Sequence, residues 1–425
     1  MKSSAATGGG SALVPKRRFP EFQDAPAWDS VSLRRASVPV DERVGEKKLT
    51  PVSISAGIGF VPQAEKFGRD ISGNQYQLYT LVRDGDFVFN KGNSLKFPQG
   101  CIYLLQGWGQ VAAPNVFIAF RLKDGYSNGF FQNCFERNQH GNQLKKHITS
   151  GARSNGLLNI SKDTFFGIEI ATPTLLEQQK IADCLASADA LIEAQGRKVA
   201  ALKAHKKGLM QQLFPQEGET QPRLRFPEFE GAGEWEVRTI EEMFSLINGC
   251  AFKPEDWQTS GTPIIRIQNL NDPSAEFNYS QEPVPERNRV EPGDLLFAWS
   301  GTLGSSFGAR IWNGPSGVLN QHIFKVLMDE KHVTLQFALL VLARVEEKIA
   351  RRTHGFKASF VHVKKSDLVK VEMLLPSPRE QQRIADCLTS LDDLIAAENL
   401  RLDTLKTHKK GLMQLLFPSI GEAEV

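Results

Sequence analysis

The sequence predicts an α/β protein built as two globular domains, each followed by a long helix. The two helices are expected to pack as an antiparallel coiled coil, with pseudo-twofold symmetry between the halves. Three observations predict this. Residues 173–215 recur as residues 376–418 at a fixed shift of 203, with 26 of 43 positions identical and no gap. The run Arg18-Phe19-Pro20-Glu21-Phe22 with Trp28 recurs as Arg225-Phe226-Pro227-Glu228-Phe229 with Trp235. Within each repeated segment apolar residues alternate at spacings of four and three, the mark of a helix whose one stripe faces a partner helix.

In chain order, residues 1–15 read as a flexible tail rich in Gly, Ser and Ala. Residues 16–172 form a first domain and 173–215 its helix, bounded by Pro173 and Pro215. The polar stretch 216–222 is a linker. Residues 223–375 form the second domain, 376–418 its helix, and 419–425 a tail. Between their shared ends the two domains resemble each other thinly. Gly85-Asp86 answers Gly293-Asp294, and Leu144 and Ile148 answer Val345 and Ile349.

The seam of the first helix comprises Ile181, Leu185, Ala188, Ile192, Gln195, Val199, Leu202, Lys206, Leu209 and Leu213. That of the second comprises Ile384, Leu388, Leu391, Ile395, Glu398, Leu402, Leu405, Lys409, Leu412 and Leu416. Each seam is roughly 50 Å long at the helical rise per residue. Such a stripe needs a partner, and the other helix of the same chain is the economical one. Gln195 and Glu398, mid-seam, either fix register or lie at a wet edge. The clusters around Lys206 and Lys409 suit the negative end of a helix dipole, or contact with phosphate or a partner subunit.

Composition excludes several classes. The 425 residues carry 51 Lys+Arg against 48 Asp+Glu, so any nucleic-acid face must be local rather than global. Phe outnumbers Tyr by 27 to 5, which points to core packing. The cysteines (Cys101, Cys134, Cys184, Cys250 and Cys387) form no CxxC pair and suit neither a disulfide framework nor a zinc site. The opening stretch lacks an apolar signal core, and no apolar run is long enough for a bilayer, so no membrane partner and a cytoplasmic location are expected. A search for chemistry finds no P-loop, no HExxH and no GxSxG. Asn271-Asp272-Pro273-Ser274 lacks the second proline and aromatic of a base-flipping methyltransferase loop.

The doubled EQQ[KR]IADCL…LK.HKKGLMQ.LFP segment with its FPEF…W opening closely resembles the specificity subunits of type I restriction-modification systems. The resemblance implies a noncatalytic DNA-binding subunit whose two target-recognition domains each read half of a bipartite double-stranded DNA sequence. It implies helices that set the spacing and dock two modification subunits, with restriction/translocase subunits joining them. No cofactor is then bound by this chain; S-adenosylmethionine, ATP and magnesium are expected in the partner subunits.

Base contacts call for Arg or Lys to guanine and Asn or Gln to adenine on Gly-containing loops. In the first domain these are Asn90, Lys91 and Asn93, then Lys145 and Lys146, then Arg153 and Asn155. In the second they are Arg266, Gln268 and Asn269, then Arg351, Arg352 and Lys357, with Asn320-Gln321-His322 as either a reader or a framework turn. Two other readings remain: a stand-alone DNA methyltransferase or nuclease, and a coiled-coil scaffold that binds only protein.

Overall fold

Strand β6 (Asp86–Asn90) is apolar on both faces, and the reason is visible in where its side chains go. In the computed structural model, which describes residues 13–92, 97–148, 157–353 and 360–418, the chain forms two compact units. One is Met1–Arg197 with Leu400–Val425; the other is Lys198–Asn399. Two helices of 39 residues, Leu175–Leu213 and Pro378–Leu416, each contribute to both units.

The strands of the first unit are β1 (Asp29–Ser32), β2 (Ser37–Pro39), β3 (Thr50–Ser55), β4 (Gly59–Pro62), β5 (Thr80–Arg83), β6, β7 (Cys101–Leu104), β8 (Gln110–Ala113), β9 (Ile118–Leu122) and β10 (Glu169–Thr172). They form one sheet in the order β2-β9-β6-β7, another in the order β4-β3-β8-β5, and the pair β1-β10. Helix α1 (Asn128–Glu136) follows β9. Alternation along each strand sends Phe87 and Phe89 of β6, and Ile118 and Phe120 of β9, into a core shared with α1. Val88 and Ala119 point the other way, into a second core with Val52, Ile54 and Val111. A strand buried on both faces needs a continuous apolar run, which Phe87-Val88-Phe89 supplies between the hydrogen-bonded Asp86 and Asn90. The surplus of Phe over Tyr is spent here: eight Phe rings, from Phe87 to Phe166, lie in the α1-side core.

The second unit repeats the plan with other residues. Its strands are β11 (Glu236–Thr239), β12 (Phe244–Asn248), β13 (Thr262–Ile265), β14 (Asn278–Ser280), β15 (Arg289–Val290), β16 (Leu295–Ala298), β17 (Ser300–Thr302), β18 (Gly308–Ile311), β19 (Gly317–Leu319), β20 (Ile323–Met328), β21 (Phe360–His362) and β22 (Glu372–Leu375). The sheets run β12-β20-β16-β18 and β14-β13-β19-β15, with β11-β22 and the additional pair β17-β21. β13 pairs with β19 in parallel, as β3 does with β8. Helix α2 (Leu335–Thr353) takes the place of α1. Gly85 and Gly293 both turn with left-handed φ, at 92° and 98°, just before β6 and β16. The aspartate that follows is tied down in each: Asp86 by Arg121 at 2.7 Å, Asp294 by Lys325 at 2.7 Å.

Each unit is completed by both long helices. At its start the first helix carries Glu177 and Gln178, both buried. Glu177 takes Arg18 at 2.8 Å, and Gln178 accepts the Ser127 N–H and donates to the Pro173 carbonyl. Glu380 and Gln381 do the same in the second unit with Arg225, the Thr334 N–H and the Pro376 carbonyl. The repeated EQQ and FPEF motifs are therefore two halves of one clasp.

The helix ends go to the opposite partner. Leu416 and Phe417, at the end of the second helix, enter the core of the first unit, where Phe417 lies against Trp28 and Phe130. Leu213 and Phe214, at the end of the first helix, enter the core of the second unit, where Phe214 lies against Trp235 and Phe337. A cation covers each ring: Arg137 stands 4.9 Å from Phe417 and Arg344 5.0 Å from Phe214. The matches Trp28–Trp235, Phe130–Phe337 and Arg137–Arg344 hold at a shift of 207, against 203 for Phe214–Phe417, and match α1 to the start of α2. They correct the sequence pairing of Leu144 and Ile148 with Val345 and Ile349, which slides the two stretches past one another.

Along the helices every seam position is buried or half-buried. In the first unit Lys409 meets Asp189 at 2.7 Å and Glu136 at 3.3 Å; in the second Lys206 meets Asp392 at 2.6 Å and Lys198 meets Glu398. Lys206 and Lys409 are equivalent in the repeat, as are Asp189 and Asp392. One self-complementary ion pair thus forms twice, as antiparallel pairing of the segments requires. Both seam lysines are engaged in ion pairs with carboxylates of other helices.

Candidate nucleic-acid interface

Binding residues belong on loops held by a rigid sheet, and both units gather two loops at one place. In the first unit Gly92 bridges Leu157, and the Lys91 carbonyl accepts the Leu158 N–H at 2.8 Å. That contact fastens the loop leaving β6 to the chain that follows the Arg153 and Asn155 region. In the second unit β17 pairs with β21, and the Trp299 carbonyl accepts the Val363 N–H at 3.0 Å. Lys91 and Trp299 thus occupy the same place in the two folds.

Two sequence candidates are corrected by their burial. Asn90 is 7% exposed; its amide donates to the Ile54 carbonyl and accepts the Gly92 N–H. Asn269 is fully buried, accepts the Arg266 N–H at 3.0 Å and donates to the Ala275 carbonyl. Both side chains are buried and bond to backbone groups, away from the surface a base would meet. Arg266 is half-buried, donates to Asn278 at 2.8 Å and lies 4.6 Å from the Trp257 ring. Gln268 is exposed and donates to the Glu276 carbonyl. Lys145 and Lys146 are exposed on a short 3-10 turn, Lys145–His147, and Lys91 is half-buried. Arg351 and Arg352 fall in the last turn of α2. Their side chains lie outside the described residues, as do Asn93, Arg153, Asn155 and Lys357.

Beside β17 the sequence left Trp299 unnoticed. Its indole N–H donates to the Gln321 carbonyl at 3.1 Å. Phe324 stacks on it at 5.8 Å, His322 stands at 5.3 Å and His362 at 4.7 Å, between ring centroids. The signal that could have found it is the aromatic directly preceding Ser300-Gly301-Thr302, a turn-forming run after an apolar strand. Asn320 serves the framework, its N–H bonded to the Ile265 carbonyl.

The turn that follows is built tightly. The N–H groups of Ser305, Ser306 and Phe307 all point to the Thr302 carbonyl, and Ser306 Oγ accepts the Thr302 N–H at 2.8 Å. Behind the turn, Glu346 of α2 accepts the Ala309 N–H at 2.7 Å. Burial pushes its carboxyl up to about 7, against the opposing pull of that hydrogen bond and of Arg310. Gly308, at φ +112°, has no room for a side chain: a Cβ would come within 2.0 Å of the Glu346 carboxyl. In the first unit His140 is buried among Phe89 and Phe135, and desolvation lowers its pKa to about 4. Among the described residues no three metal-ligating side chains cluster, and no helix is long and apolar enough to cross a membrane.

Residues 232–407 match the family model of the type I restriction modification DNA specificity domain. The chain is 24% identical over 284 residues to the type I restriction enzyme MjaVIII specificity subunit of Methanocaldococcus jannaschii, covering 63% of this chain and 66% of that one. It is 27% identical over 184 residues to the type I restriction enzyme EcoBI specificity subunit of Escherichia coli, covering 43% of this chain and 36% of that one. The chain spans less than two thirds of the length of these relatives. Its fold is similar to a chain solved in work on complex assembly and conformational transition of the type I R-M system, with TM-score 0.56, 19% identity, and coverage of 92% and 98%. It is also similar to the type I restriction-modification S subunit of M. genitalium, with TM-score 0.55, 14% identity, and coverage of 96% and 100%.

Proposed function

We propose that this chain is a specificity subunit of a type I restriction-modification system, which reads a bipartite sequence in double-stranded DNA and carries no catalysis of its own. Residues 16–172 would read one half-site and residues 223–375 the other. The observation that carries this reading is a shared topology with divergent loops: one sheet plan is built twice, yet Lys91 stands where Trp299 stands. Equivalent scaffolds with different residues at the same place suit two unlike half-sites. DNA has local twofold symmetry, so two copies of one plan can meet two half-sites in the same way.

The paired helices would set the half-site spacing and dock two modification subunits. Those subunits would bring S-adenosylmethionine, and restriction/translocase subunits would bring ATP and magnesium, all in the cytoplasm. Of the residues suggested by sequence, Lys91, Lys145, Lys146 and Gln268 are the accessible or half-accessible contacts, with Arg266 positioned by Trp257. Asn93, Arg153, Asn155, Arg351, Arg352 and Lys357 remain proposed contacts.

The test is methylation mapping by the complex reconstituted with its modification subunits. A bipartite motif, with one half alone changing when 16–172 is exchanged for another such domain, supports the reading. Methyl transfer by the isolated chain, or binding without sequence selectivity, overturns it.

A further inference from the structure

We infer that the second unit reads bases through a cluster assembled on Trp299, comprising Gln321, His322 and His362, with Phe360 exposed on the same strand as His362; this rests on the DNA-reading role proposed above. None of these residues except His322 and Gln321 drew attention in the sequence, because they come from three separate stretches. The fold brings their stretches together: Trp299 directly follows β16, the turn before β20 supplies Gln321 and His322, and β21 supplies Phe360 and His362.

Trp299 acts as the base plate. It is fixed from below by Phe324 and from the side by its bond to the Gln321 carbonyl, so the groups around it are held before any ligand arrives. Preorganised side chains lose little freedom on binding. The outward groups have the chemistry of base readout. The Gln321 amide offers a donor and an acceptor and is exposed, 3.3 Å from His322 Nε2. His362 is exposed and stands edge-on to the Trp299 ring. Phe360 is 60% exposed, an apolar face of the kind that meets a thymine methyl or wedges against a base step. A large aromatic so open to water is not spent on the core, and β17-β21 pairing keeps it in place.

The comparison within the chain sharpens the assignment. The first unit has the same backbone contact, Leu158 N–H to the Lys91 carbonyl, but a lysine at the position of the tryptophan. There a cation replaces an aromatic plate. The two half-sites are therefore read by different chemistry at the same place, and the aromatic cluster belongs to the second half-site alone.

The experiment uses the complete complex with Q321A, H362A and F360A, each mapped for its methylated motif. The parent complex provides the control for the function itself: if it shows no sequence selectivity, the proposed function fails and not this assignment. With a selective parent, discrimination should fall about tenfold at one or two adjacent base pairs of the half read by residues 223–375. The other half should be unchanged. A uniform loss of affinity over all sequences, or an unaltered motif in all three variants, overturns the assignment. Should F360A lower the melting temperature, the exposed replacements Q321E and H362Q supply the same readout.

Discussion

Arg18 and Glu177 form a two-pronged ion pair that is 7% and 1% exposed at the side chains, although 159 residues separate them. The guanidinium also donates to the Ala25 carbonyl, so the clasp orders the loop that delivers Trp28 to the core. Arg225 and Glu380 repeat it, with the Ala232 and Gly233 carbonyls in the same role. Removing one member leaves a buried charge without its partner. E177A is expected to destabilise the first unit by about 3–5 kcal/mol, and E380A the second by a similar amount. A double replacement R18M/E177M should recover most of that loss. Urea melts of the three variants beside the parent check this; equal melting of E177A and R18M/E177M would refute it.

The helix-end anchors predict a crossed phenotype. F417A removes a fully buried ring from the first unit's core and should cost about 3–5 kcal/mol there. Recognition of the half-site assigned to residues 16–172 should weaken while the other half persists. F214A should do the reverse. Hydrogen exchange resolved by peptide, together with motif mapping, distinguishes this from a general loss of stability.

The repeated lysine pairs should matter less. Asp189 and Asp392 are about half exposed, so K409A or K206A should each cost no more than about 1 kcal/mol. The loss should shrink in high salt. A thermal melt at low and high ionic strength measures both effects.

The two units should respond to pH with opposite signs. His140 is buried neutral and its folded pKa is about 4, below the unfolded value near 6.5. Its contribution is present above the unfolded value and lost as pH falls toward 4, by up to about 3 kcal/mol. Glu346 has a folded pKa of about 7, above its unfolded 4.5. Its contribution is present below 4.5 and lost as pH rises through 7, by about 2–3 kcal/mol. H140F should flatten the acid limb, and E346Q should flatten the limb toward pH 8 while keeping an acceptor for Ala309. Unit-resolved exchange measured from pH 4 to 8 would show the two slopes or their absence.

How much of this was legible beforehand depends on the range of the signal. The helices were legible because a seven-residue period is local and was printed twice. The clasp was half-legible: Thr174 with Glu177 and Ser377 with Glu380 have the spacing of a capping box, but the glutamates turn to arginines far away in sequence. The shared sheet plan was hidden, since it is fixed by alternation that Phe, Leu, Val and Ala satisfy interchangeably. Asn90 and Asn269 misled for a related reason. An asparagine beside a glycine or arginine looks the same whether its amide faces a base or its own loop. Trp299 could not be linked to His322 and His362 without knowing which strands were neighbours.

The exchanged helix ends also set an order of events during synthesis. Phe214 is made before the second domain, so that domain can close around an anchor already in place. Phe417 is made roughly 245 residues after the last strand of the first domain. At about 5–20 residues per second the ribosome needs some ten to fifty seconds to supply it. For that interval the newborn first domain carries an open groove lined by Trp28 and Phe130. Two halves alike in plan are therefore unlike in their exposure to chaperones and to aggregation.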